Sequence, residues 1–292
     1  MNDTERPAVA HLDLPLLSNP RAERVKAVRA LTGRSARQRH GRFLAEGPQS
    51  VREAVAAGAA LELYASDDAA RRYPEILAGA PSRTWLVTDE VLAAMTDTVT
   101  PQGLVAVCPT TATTLDEVLA TQPRLVAVLD RVQDPGNAGT VLRAADAAGA
   151  DAVVLTQGSV DPFNPKCVRS TAGSLFHLPV VVGVPLADVV TALQRNGSTV
   201  LAADGGGEAD LDDLADAAAT GSTGTVDLRR RTAWVFGNEA AGLDDAGRAL
   251  ADAVVRVPLH GRAESLNLAT AAVVCLYASA RAQRRDGANR PG

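Results

Sequence analysis

The chain contains few aromatic residues, few cysteines and no long apolar run. Aromatic residues make up 3% of its 292 residues, which argues against a binding surface built mainly from stacked rings. Its three cysteines, Cys108, Cys167 and Cys275, are far apart in the sequence. We therefore expect neither a disulfide framework nor a CxxC zinc site, and a reducing cytoplasmic compartment suits them. No apolar run approaches the roughly 18 residues of a membrane span, and the N-terminus lacks the layout of a secretory signal.

Several common catalytic and nucleotide-binding motifs are absent as well. There is no GxxxxGK[ST] loop, no GxGxxG after a predicted strand, no GxSxG elbow and no HExxH helix. The histidines show no metal-ligand spacing, and they are His11, His40, His177 and His260. We therefore expect no metal, and the sequence gives little support to a Rossmann-type enzyme, a Ser/His/Asp hydrolase or a zinc enzyme.

Basic residues are unevenly distributed, and lysine is scarce. The net charge is −5, yet residues 21–52 hold nine basic side chains against two acidic ones. Such a segment is able to meet phosphates, although a solvated helical face is the plainer interpretation. Of the 29 basic residues only Lys26 and Lys166 are lysines. Arginine favours bidentate phosphate contacts, but a genome-wide coding bias explains this preference equally well.

Alternating strands and helices predict a small α/β domain over residues 1–108. We expect its first 19 residues to form a lead-in, followed by a helix over 21–32 and a basic loop over 34–42. The predicted strands are 43–45, 61–64, 84–87 and 105–107, and the other predicted helices are 49–57 and 89–95. The segment 109–122 is rich in Thr, Pro and Ala. It is interpreted as a linker, in which a short helix near 115–120 is possible.

Residues 123–292 predict a larger α/β domain. Short runs rich in Val and Leu recur between helical segments, as parallel strands covered on both faces require. The predicted strands are 125–129, 152–155, 179–182, 199–202, 233–236 and 254–257. The longest helix is predicted near 265–284. A mostly parallel sheet of this kind binds its ligands beyond the carboxyl ends of its strands.

Three polar segments each follow a predicted strand, and they cover residues 130–143, 235–243 and 257–270. Each has a plain structural interpretation. Asn137 can cap a helix that carries a solvent-exposed Arg143, and Glu239 suits any helix N-terminus. Ser265 can cap the last helix in the same way. Because six residues do not share one helix face, Asn137 has to lie in the loop before the helix if it is to approach Arg143.

Taken together, the three segments resemble the motifs of the SpoU family of RNA ribose 2′-O-methyltransferases, within the SPOUT (trefoil-knot) superfamily. The string Asn-x-Gly-x-x-x-Arg begins at Asn137, Gly-Asn-Glu-x-x-Gly-Leu begins at Gly237, and Pro-x-x-Gly-x-x-Glu-Ser-Leu-Asn begins at Pro258. The resemblance covers residues 124–282. The N-terminal part is similar, less specifically, to the family's substrate-binding domain. Three departures from commoner family residues remove no polar group, and they are Ala138, Leu259 and Thr270.

The resemblance implies that the C-terminal domain has trefoil-knot topology and binds S-adenosylmethionine. The implied cofactor-binding residues are Ala202, Asp204, Gly205, Gly237, Asn238, Val257, Pro258, Leu259, Ser265, Leu266 and Asn267. An adenine ring is suited by an apolar slot with a few backbone hydrogen bonds. Because the methyl donor is a sulfonium cation, no metal is needed to activate its methyl group.

The resemblance also implies a set of catalytic residues, which are Asn137, Arg143, Glu239, Ser265 and Asn267. It places Arg143 at the reacting ribose 2′-hydroxyl, with Asn137 orienting it. A guanidinium with a pKa above about 12 is not normally a base. We therefore expect Arg143 to bind the neighbouring phosphate and to stabilise the forming alkoxide. The proton acceptor is then the phosphate, water or Glu239.

RNA and a second copy of the chain are the implied partners. The predicted RNA-binding residues are Arg24, Arg34, Arg37, Arg39, Arg42, Lys166 and Arg169. With so few aromatic residues, recognition should use phosphates, 2′-hydroxyls and RNA shape. The resemblance implies a homodimer packed through the C-terminal domain. Ribosomal RNA is the favoured substrate, with transfer RNA, a self-protection enzyme against an antibiotic and a SPOUT-fold RNA-binding or assembly protein without catalysis as alternatives.

Overall fold

The computed structural model describes residues 14–111, 113–222 and 224–288, without the side chains of residues 287 and 288. The chain divides into an N-terminal unit that ends at Thr110 and a C-terminal unit that begins at Thr111. Within the described ranges, no helix combines the length and hydrophobicity needed to span a bilayer. Most of the predicted 19-residue lead-in lies outside the described residues.

The N-terminal unit is built on a five-stranded sheet. Its strands are β1 (Leu16–Leu17), β2 (Arg42–Glu46), β3 (Glu62–Ser66), β4 (Thr84–Val87) and β5 (Leu104–Pro109). Its helices are α1 (Glu23–Ala30), α2 (Arg34–His40), α3 (Pro48–Ala56), α4 (Asp67–Arg72), α5 (Pro74–Ala78) and α6 (Asp89–Met95). The strands lie in the order β1-β4-β3-β5-β2, with β5 antiparallel to both of its neighbours. The predicted small α/β domain is therefore confirmed.

Helix α1 buries the apolar face that its spacing predicts. Val25, Val28 and Leu31 are at most 5% exposed, and they join a core with residues of α6 and of the sheet. Burying three such side chains contributes on the order of 6 kcal/mol. This burial fixes the rotation of α1, so the charged side chains on its other faces, including Arg24 and Lys26, have defined positions.

Two segments of the N-terminal unit differ from the predictions. Most of the predicted basic loop 34–42 forms helix α2, which ends at His40, before Gly41 adopts a φ of 60°, and Arg42 begins β2. The helix is held by burial of Ala36 and Arg37, a tertiary anchor that overrides a segment without apolar periodicity. Strand β1 lies inside the predicted lead-in, where Leu16 pairs with Leu86 of β4.

The C-terminal unit is built on a seven-stranded sheet. Its strands are β6 (Leu125–Leu129), β7 (Ala152–Thr156), β8 (Val180–Val184), β9 (Thr199–Ala203), β10 (Ala209–Asp210), β11 (Thr232–Phe236) and β12 (Ala253–Arg256). Its helices are α7 (Leu115–Ala120), α8 (Pro135–Ala148), α9 (Pro165–Thr171), α10 (Leu186–Arg195), α11 (Leu211–Thr220), α12 (Asp245–Leu250) and α13 (Leu268–Ala288). The order is β10-β12-β9-β11-β6-β7-β8, and every neighbouring pair is parallel.

The predicted parallel sheet is therefore confirmed. All five residues of β6, of β7 and of β11 are buried, which explains why these strands read as continuous apolar runs. The strand order does not follow the chain order, because β11, near the end of the chain, lies between β9 and β6 in the middle of the sheet. As a result, the carboxyl ends of β12, β9 and β11 lie side by side.

Part of the predicted linker 109–122 belongs to the C-terminal unit. Helix α7 begins with a capping box, in which Thr114 and Glu117 satisfy each other's backbone N–H groups. Its Val118 is 2% exposed and packs in the core of the C-terminal unit. The backbone N–H of Thr113 donates to the carbonyl of Val180. The C-terminal unit thus begins ahead of the predicted position 123.

Candidate active site at the carboxyl edge of the parallel sheet

A cavity of about 230 Å³ lies at the carboxyl edge of the C-terminal sheet. It is formed by the loop after β9, the loop after β11 and the long loop between β12 and α13. Of the predicted cofactor-binding residues, those that line it are Asp204, Gly205, Gly237, Asn238, Val257, Leu259, Ser265 and Leu266. Three loops that are far apart in the sequence therefore converge on one space.

The other predicted cofactor residues do not line this cavity. Ala202 is fully buried in the core, and its neighbour Ala203 lines the cavity instead, because successive side chains of a strand point to opposite faces. Pro258 lies between two lining residues but is not one itself. Asn267 lies beside the cavity, where it joins a hydrogen-bonded chain described below.

Gly237 allows the loop after β11 to close tightly. A Cβ atom at this position would lie 2.3 Å from the carbonyl carbon of Gly242. Asn238 and Gly242 form an isolated antiparallel bridge with backbone hydrogen bonds of 3.1 and 2.8 Å. The side chain of Asn238 also accepts hydrogen bonds from the N–H groups of Ala240 and Ala241. The loop is therefore a closed turn whose backbone reaches the cavity without a side chain at residue 237.

The chemistry of the lining fits S-adenosylmethionine. Val257, Leu259 and Leu266 supply apolar surface, which suits an adenine ring. The acidic residues Asp204, Glu239 and Glu264 also line the cavity, and the lining residues that the structure describes include no lysine or arginine. A cavity with this charge balance favours a cation such as a sulfonium over an anion.

A chain of hydrogen bonds joins the three motifs predicted from the sequence. The Nδ2 atom of Asn137 donates to the Glu239 carboxylate at 3.3 Å. The Nδ2 atom of Asn267 donates to Oδ1 of Asn137 at 3.1 Å. Oδ1 of Asn267 then accepts from the N–H of Ala269, at 2.9 Å, at the start of α13. The start of α8, the loop after β11 and the loop before α13 are thereby connected through the side chains of Asn137, Glu239 and Asn267.

The direction of this chain follows from the chemistry of its ends. A carboxylate only accepts hydrogen bonds, so Asn137 has to turn its NH₂ group to Glu239 and its oxygen to Asn267. At the other end, the N–H groups of the first turn of α13 only donate, so Asn267 has to turn its oxygen to them. Both amide orientations are therefore determined, and neither amide is left without a partner.

The pKa of Glu239 lies below its ordinary value. Partial burial on its own raises this pKa, but hydrogen bonds from the backbone N–H groups of Gln133 and Asp134 and from Asn137 outweigh that effect. These donors stabilise the carboxylate form. Glu239 is thus a weak proton acceptor whose oxygens already accept hydrogen bonds. It connects the loop after β11 to the segment that follows β6.

Asn137 lies inside a helix rather than in the loop before it. Helix α8 begins at Pro135, and its N-cap Asp134 accepts a hydrogen bond from the N–H of Asn137. At about 100° per residue, Arg143 lies about 120° around the helix from Asn137. Arg143 is exposed and is not a lining residue. In the described part of a single chain it makes no hydrogen bond or ion pair, so one chain does not bring it to Asn137, Glu239 and Asn267.

The predicted RNA-binding residues have different surroundings. Burial contradicts the prediction for Arg37, which is 2% exposed and donates to the carbonyls of Leu31 and Thr32 at the end of α1. Arg34, Arg39 and Arg169 are exposed. Lys166 is exposed but lies 2.9 Å from Asp134. The remaining two, Arg24 and Arg42, lie near the carboxylate of Glu62.

Sequence reasoning missed some residues of the site. Glu264 lines the cavity, and its place directly before Ser265 in the third motif was the available signal. Arg131 adopts a left-handed φ of 52° and forms salt bridges with Asp130 and Asp244. No sequence pattern predicts these contacts. In the described residues, no group of three or more His, Cys, Asp and Glu side chains could hold a metal ion. That the reaction needs no metal stays a prediction.

Two family profiles match the chain, one for each unit. Residues 124–277 match the SpoU rRNA methylase family, and residues 22–106 match the MRM3-like substrate binding domain. A 23S rRNA (guanosine(2553)-2′-O)-methyltransferase of Bacillus subtilis, RlmP, is 36% identical over 89% of this chain and 97% of its own length. A 23S rRNA (uridine(2479)-2′-O)-methyltransferase of Streptomyces viridochromogenes is 31% identical over 93% and 98%.

A solved structure agrees with these sequence matches. The AdoMet-bound rRNA methyltransferase from Sinorhizobium meliloti superposes with a TM-score of 0.77 at 30% identity, over 91% of this chain and 97% of that one. The SpoU methyltransferase AviRb from Streptomyces viridochromogenes, in complex with AdoMet, superposes with a TM-score of 0.77 at 32% identity. The resemblance expected from the motifs is thus confirmed, and the chain belongs to the SpoU rRNA methylase family.

Proposed function

We propose that this protein transfers a methyl group from S-adenosylmethionine to a ribose 2′-hydroxyl of ribosomal RNA. The observation that carries the proposal is the convergence of the loops after β9, β11 and β12 on one cavity. The last two of these loops are joined to α8 by the hydrogen-bonded chain from Glu239 through Asn137 to Asn267. Relatives that span nearly all of this chain are named for 23S rRNA, which favours ribosomal RNA over transfer RNA and over a binding protein without catalysis. Such a substrate would place the protein in the cytoplasm, with the ribosomes.

The cavity residues bind and orient the methyl donor. S-adenosylmethionine supplies a methyl group on a positively charged sulfur. Val257, Leu259 and Leu266, which line the cavity, would contact its apolar part, and Asp204 and Glu264 would offset its charge. The tight turn at Gly237 would let the backbone approach the bound molecule. Most of the rate enhancement then comes from holding the acceptor hydroxyl in line with the methyl group.

Glu239 and the two asparagines are positioning residues for this arrangement. Because the oxygens of Glu239 already accept hydrogen bonds from Gln133, Asp134 and Asn137, Glu239 is poorly available as a proton acceptor. The proton of the ribose hydroxyl therefore goes to the neighbouring RNA phosphate or to water. Arg143 stabilises the alkoxide as it forms, since preorganised cationic donors act on developing negative charge.

A homodimer packed through the C-terminal unit would bring Arg143 to a site. Val273, Val274 and Tyr277 on α13 are 38–45% exposed, although α13 packs along α8 through a hydrogen bond from Tyr277 to the carbonyl of Ala147. Arg143 and Ala147 are four residues apart and share a face of α8. The apolar face of α13 thus continues towards Arg143, and a second copy that covers this face would meet that guanidinium. Trefoil-knot topology is part of the same proposal.

Methyl transfer from labelled S-adenosylmethionine to 23S rRNA tests the function. We expect label in the wild-type reaction, and Arg143→Ala to lower kcat by about 10²- to 10³-fold. Arg143→Lys should recover only part of the loss, because lysine keeps the charge but not the planar fork. Arg195→Ala, at an exposed position on α10, is the matched control and should keep full activity. Full methylation by Arg143→Ala would contradict the proposed role.

Mixing two inactive variants tests whether the site is shared between two chains. If Arg143 serves the partner's cavity, a heterodimer of Arg143→Ala and Asn137→Ala chains contains one intact site. Mixing should then restore methyl transfer. If each chain uses its own Arg143, every site in the mixture carries a defect, and activity stays absent.

A further inference from the structure

The N-terminal unit contains a second concave surface, a cleft of about 660 Å³. It is bounded by α1, by the end of α2 and by residues on β2, β3 and β5, together with Arg83 just before β4. We call it the Glu62 cleft, because the carboxylate of Glu62 lies at its base with only 7% of the side chain exposed. A buried carboxylate is costly unless it is paired, so the groups that surround it are informative.

Three arginines from different elements approach Glu62. The guanidinium of Arg83 lies 2.8 Å from Oε1, that of Arg24 lies 3.2 Å from Oε2, and that of Arg42 lies 3.9 Å from Oε1. The buried hydroxyl of Tyr64 donates to Oε2 as well. Burial, with Glu62 close by, raises the pKa of Tyr64 above its ordinary value, so the phenol keeps its proton and remains a donor.

The carboxylate has fewer acceptor sites than its neighbours have donors. Two oxygens offer about four acceptor positions, whereas each guanidinium carries five N–H groups. The Tyr64 hydroxyl, Arg24 and Arg83 therefore occupy most of these acceptor positions, with Arg42 nearby, and most of the guanidinium N–H groups are not used by Glu62. The arginine side chains remain 37–55% exposed, so these spare donors are accessible from the cleft.

The arrangement is stiff as well as charged. The guanidinium of Arg24 lies 4.0 Å from the ring centroid of Trp85, and Trp85 in turn stacks on Tyr64 at 5.2 Å. Cation–π contact and a salt bridge together restrict Arg24 to one position. An arginine that is already ordered loses less entropy when it binds a ligand.

The cleft is positively charged in a chain whose net charge is −5. One buried carboxylate is matched by three guanidinium groups, and Lys26, Arg39 and His40 also line the cleft. The other acidic lining residue is Glu23, which pairs with Lys26. Spare guanidinium donors on fixed arginines suit the planar, multidentate recognition of phosphate oxygens.

We propose that the Glu62 cleft binds phosphates of the RNA substrate, and that Glu62 is the positioning residue that presents Arg24, Arg42 and Arg83 to them. This inference rests on the proposed function, because it takes RNA as the substrate. It adds Arg83 to the residues predicted from sequence. It also gives a buried acidic residue a part in binding a polyanion.

Arg83→Ala tests the cleft through a directly exposed contact. We expect the affinity for in vitro transcribed 23S rRNA to fall about tenfold. The slope of log affinity against log salt concentration should become less steep by roughly one, because one phosphate contact is lost. The KM for RNA should rise while kcat is retained. The matched control is Arg71→Ala, which removes an exposed arginine paired with Asp67 on α4 and should leave RNA affinity unchanged. If Arg83→Ala and Arg71→Ala bind RNA alike, the cleft is not the RNA site.

Glu62→Gln separates positioning from simple charge. The substitution keeps the shape of the side chain and makes the cleft more positive, so charge alone predicts tighter RNA binding. The positioning role predicts the opposite, a several-fold weaker affinity, because a neutral amide no longer holds the guanidinium groups. Unchanged or tighter binding would overturn the positioning role.

Two further measurements keep these outcomes distinct. Thermal unfolding of the full chain, followed by circular dichroism, should match the wild type in both variants and shows that the N-terminal unit, which carries both substitutions, is folded. Wild-type methyl transfer is measured in the same series. If the wild type does not methylate ribosomal RNA, the proposed function fails. If it does while Arg83→Ala binds RNA normally, only the cleft proposal fails.

Discussion

The cavity of the C-terminal unit and the Glu62 cleft of the N-terminal unit each contain a carboxylate that several surrounding groups contact. In the C-terminal unit, Glu239 accepts hydrogen bonds from the N–H groups of Gln133 and Asp134 and from Asn137. In the N-terminal unit, Glu62 is surrounded by guanidinium groups. The first carboxylate closes a loop arrangement made of neutral donors, whereas the second collects positive charge.

This difference separates a small acidic cavity from an extended basic surface. The cavity of the C-terminal unit carries acidic side chains, but it is suited to one small molecule of low net charge, so its affinity should depend only weakly on salt. A cleft of arginines binds a polyanion by releasing its counterions, and its affinity depends strongly on salt. The two units should therefore respond differently to the same perturbation, and each prediction below tests that contrast.

Salt gives the largest expected difference between the two sites. Raising the salt concentration from about 50 to about 200 mM should weaken RNA binding by about 10²-fold or more, as for a protein with several phosphate contacts. S-adenosylmethionine affinity should change less than about twofold over the same range. Fluorescence anisotropy with labelled RNA measures the RNA affinity, and calorimetry measures the affinity for S-adenosylmethionine. A flat salt response of RNA binding would remove the electrostatic account of the N-terminal unit.

Replacing Glu239 tests the role of the carboxylate at the active site. Glu239→Gln should lower methyl transfer by about 30-fold, since loss of hydrogen bonds to a charged acceptor costs about 2 kcal/mol. RNA affinity should not change. Asp188→Asn, on α10, is a matched control that should leave methyl transfer intact.

The pH profile of the same variant shows whether Glu239 accepts the proton. A lowered pKa means that the carboxylate is ionised throughout the neutral range. Its stabilising contribution is present above the ordinary value of about 4.3 and is lost only as the pH falls through the lower, folded-state pKa. The pH–rate profile of Glu239→Gln, measured from about pH 4 to 9 so that it approaches the ordinary glutamate pKa, should keep the wild-type shape at reduced amplitude. If an acidic limb of the wild-type profile disappears in the variant, Glu239 is the base.

Much of the C-terminal unit could be predicted because its signals are local. Fully buried parallel strands leave uninterrupted apolar runs, and the run 125–129 has the bounds of β6. Each polar motif follows such a run, so the rule that ligands bind at the carboxyl ends of strands was enough to group them. The gathering of Gly237, Val257 and Leu266 around one cavity follows from strand order and not from any single motif.

The features that escaped prediction depend on contacts distant in sequence. Arg37 reads as one more surface arginine, but the fold buries it against the carbonyls of Leu31 and Thr32. Helix α2 has no apolar periodicity and forms because tertiary packing holds it. Glu62 carries no pattern at all, since its arginine partners lie 38, 20 and 21 residues away. Only the folded sheet brings them together.

The central claim is that three loops of the C-terminal unit close around one methyl donor. Gly237→Ala tests it most directly, because the added Cβ would meet the backbone of Gly242 at 2.3 Å. Gly224→Ala is the matched control, since its Cβ would lie 3.9 Å from the nearest atom. In calorimetric titrations with S-adenosylmethionine, Gly237→Ala should bind about tenfold more weakly than the wild type, a cost of about 1.4 kcal/mol, and should keep its affinity for RNA. Wild-type cofactor affinity in Gly237→Ala would contradict the account.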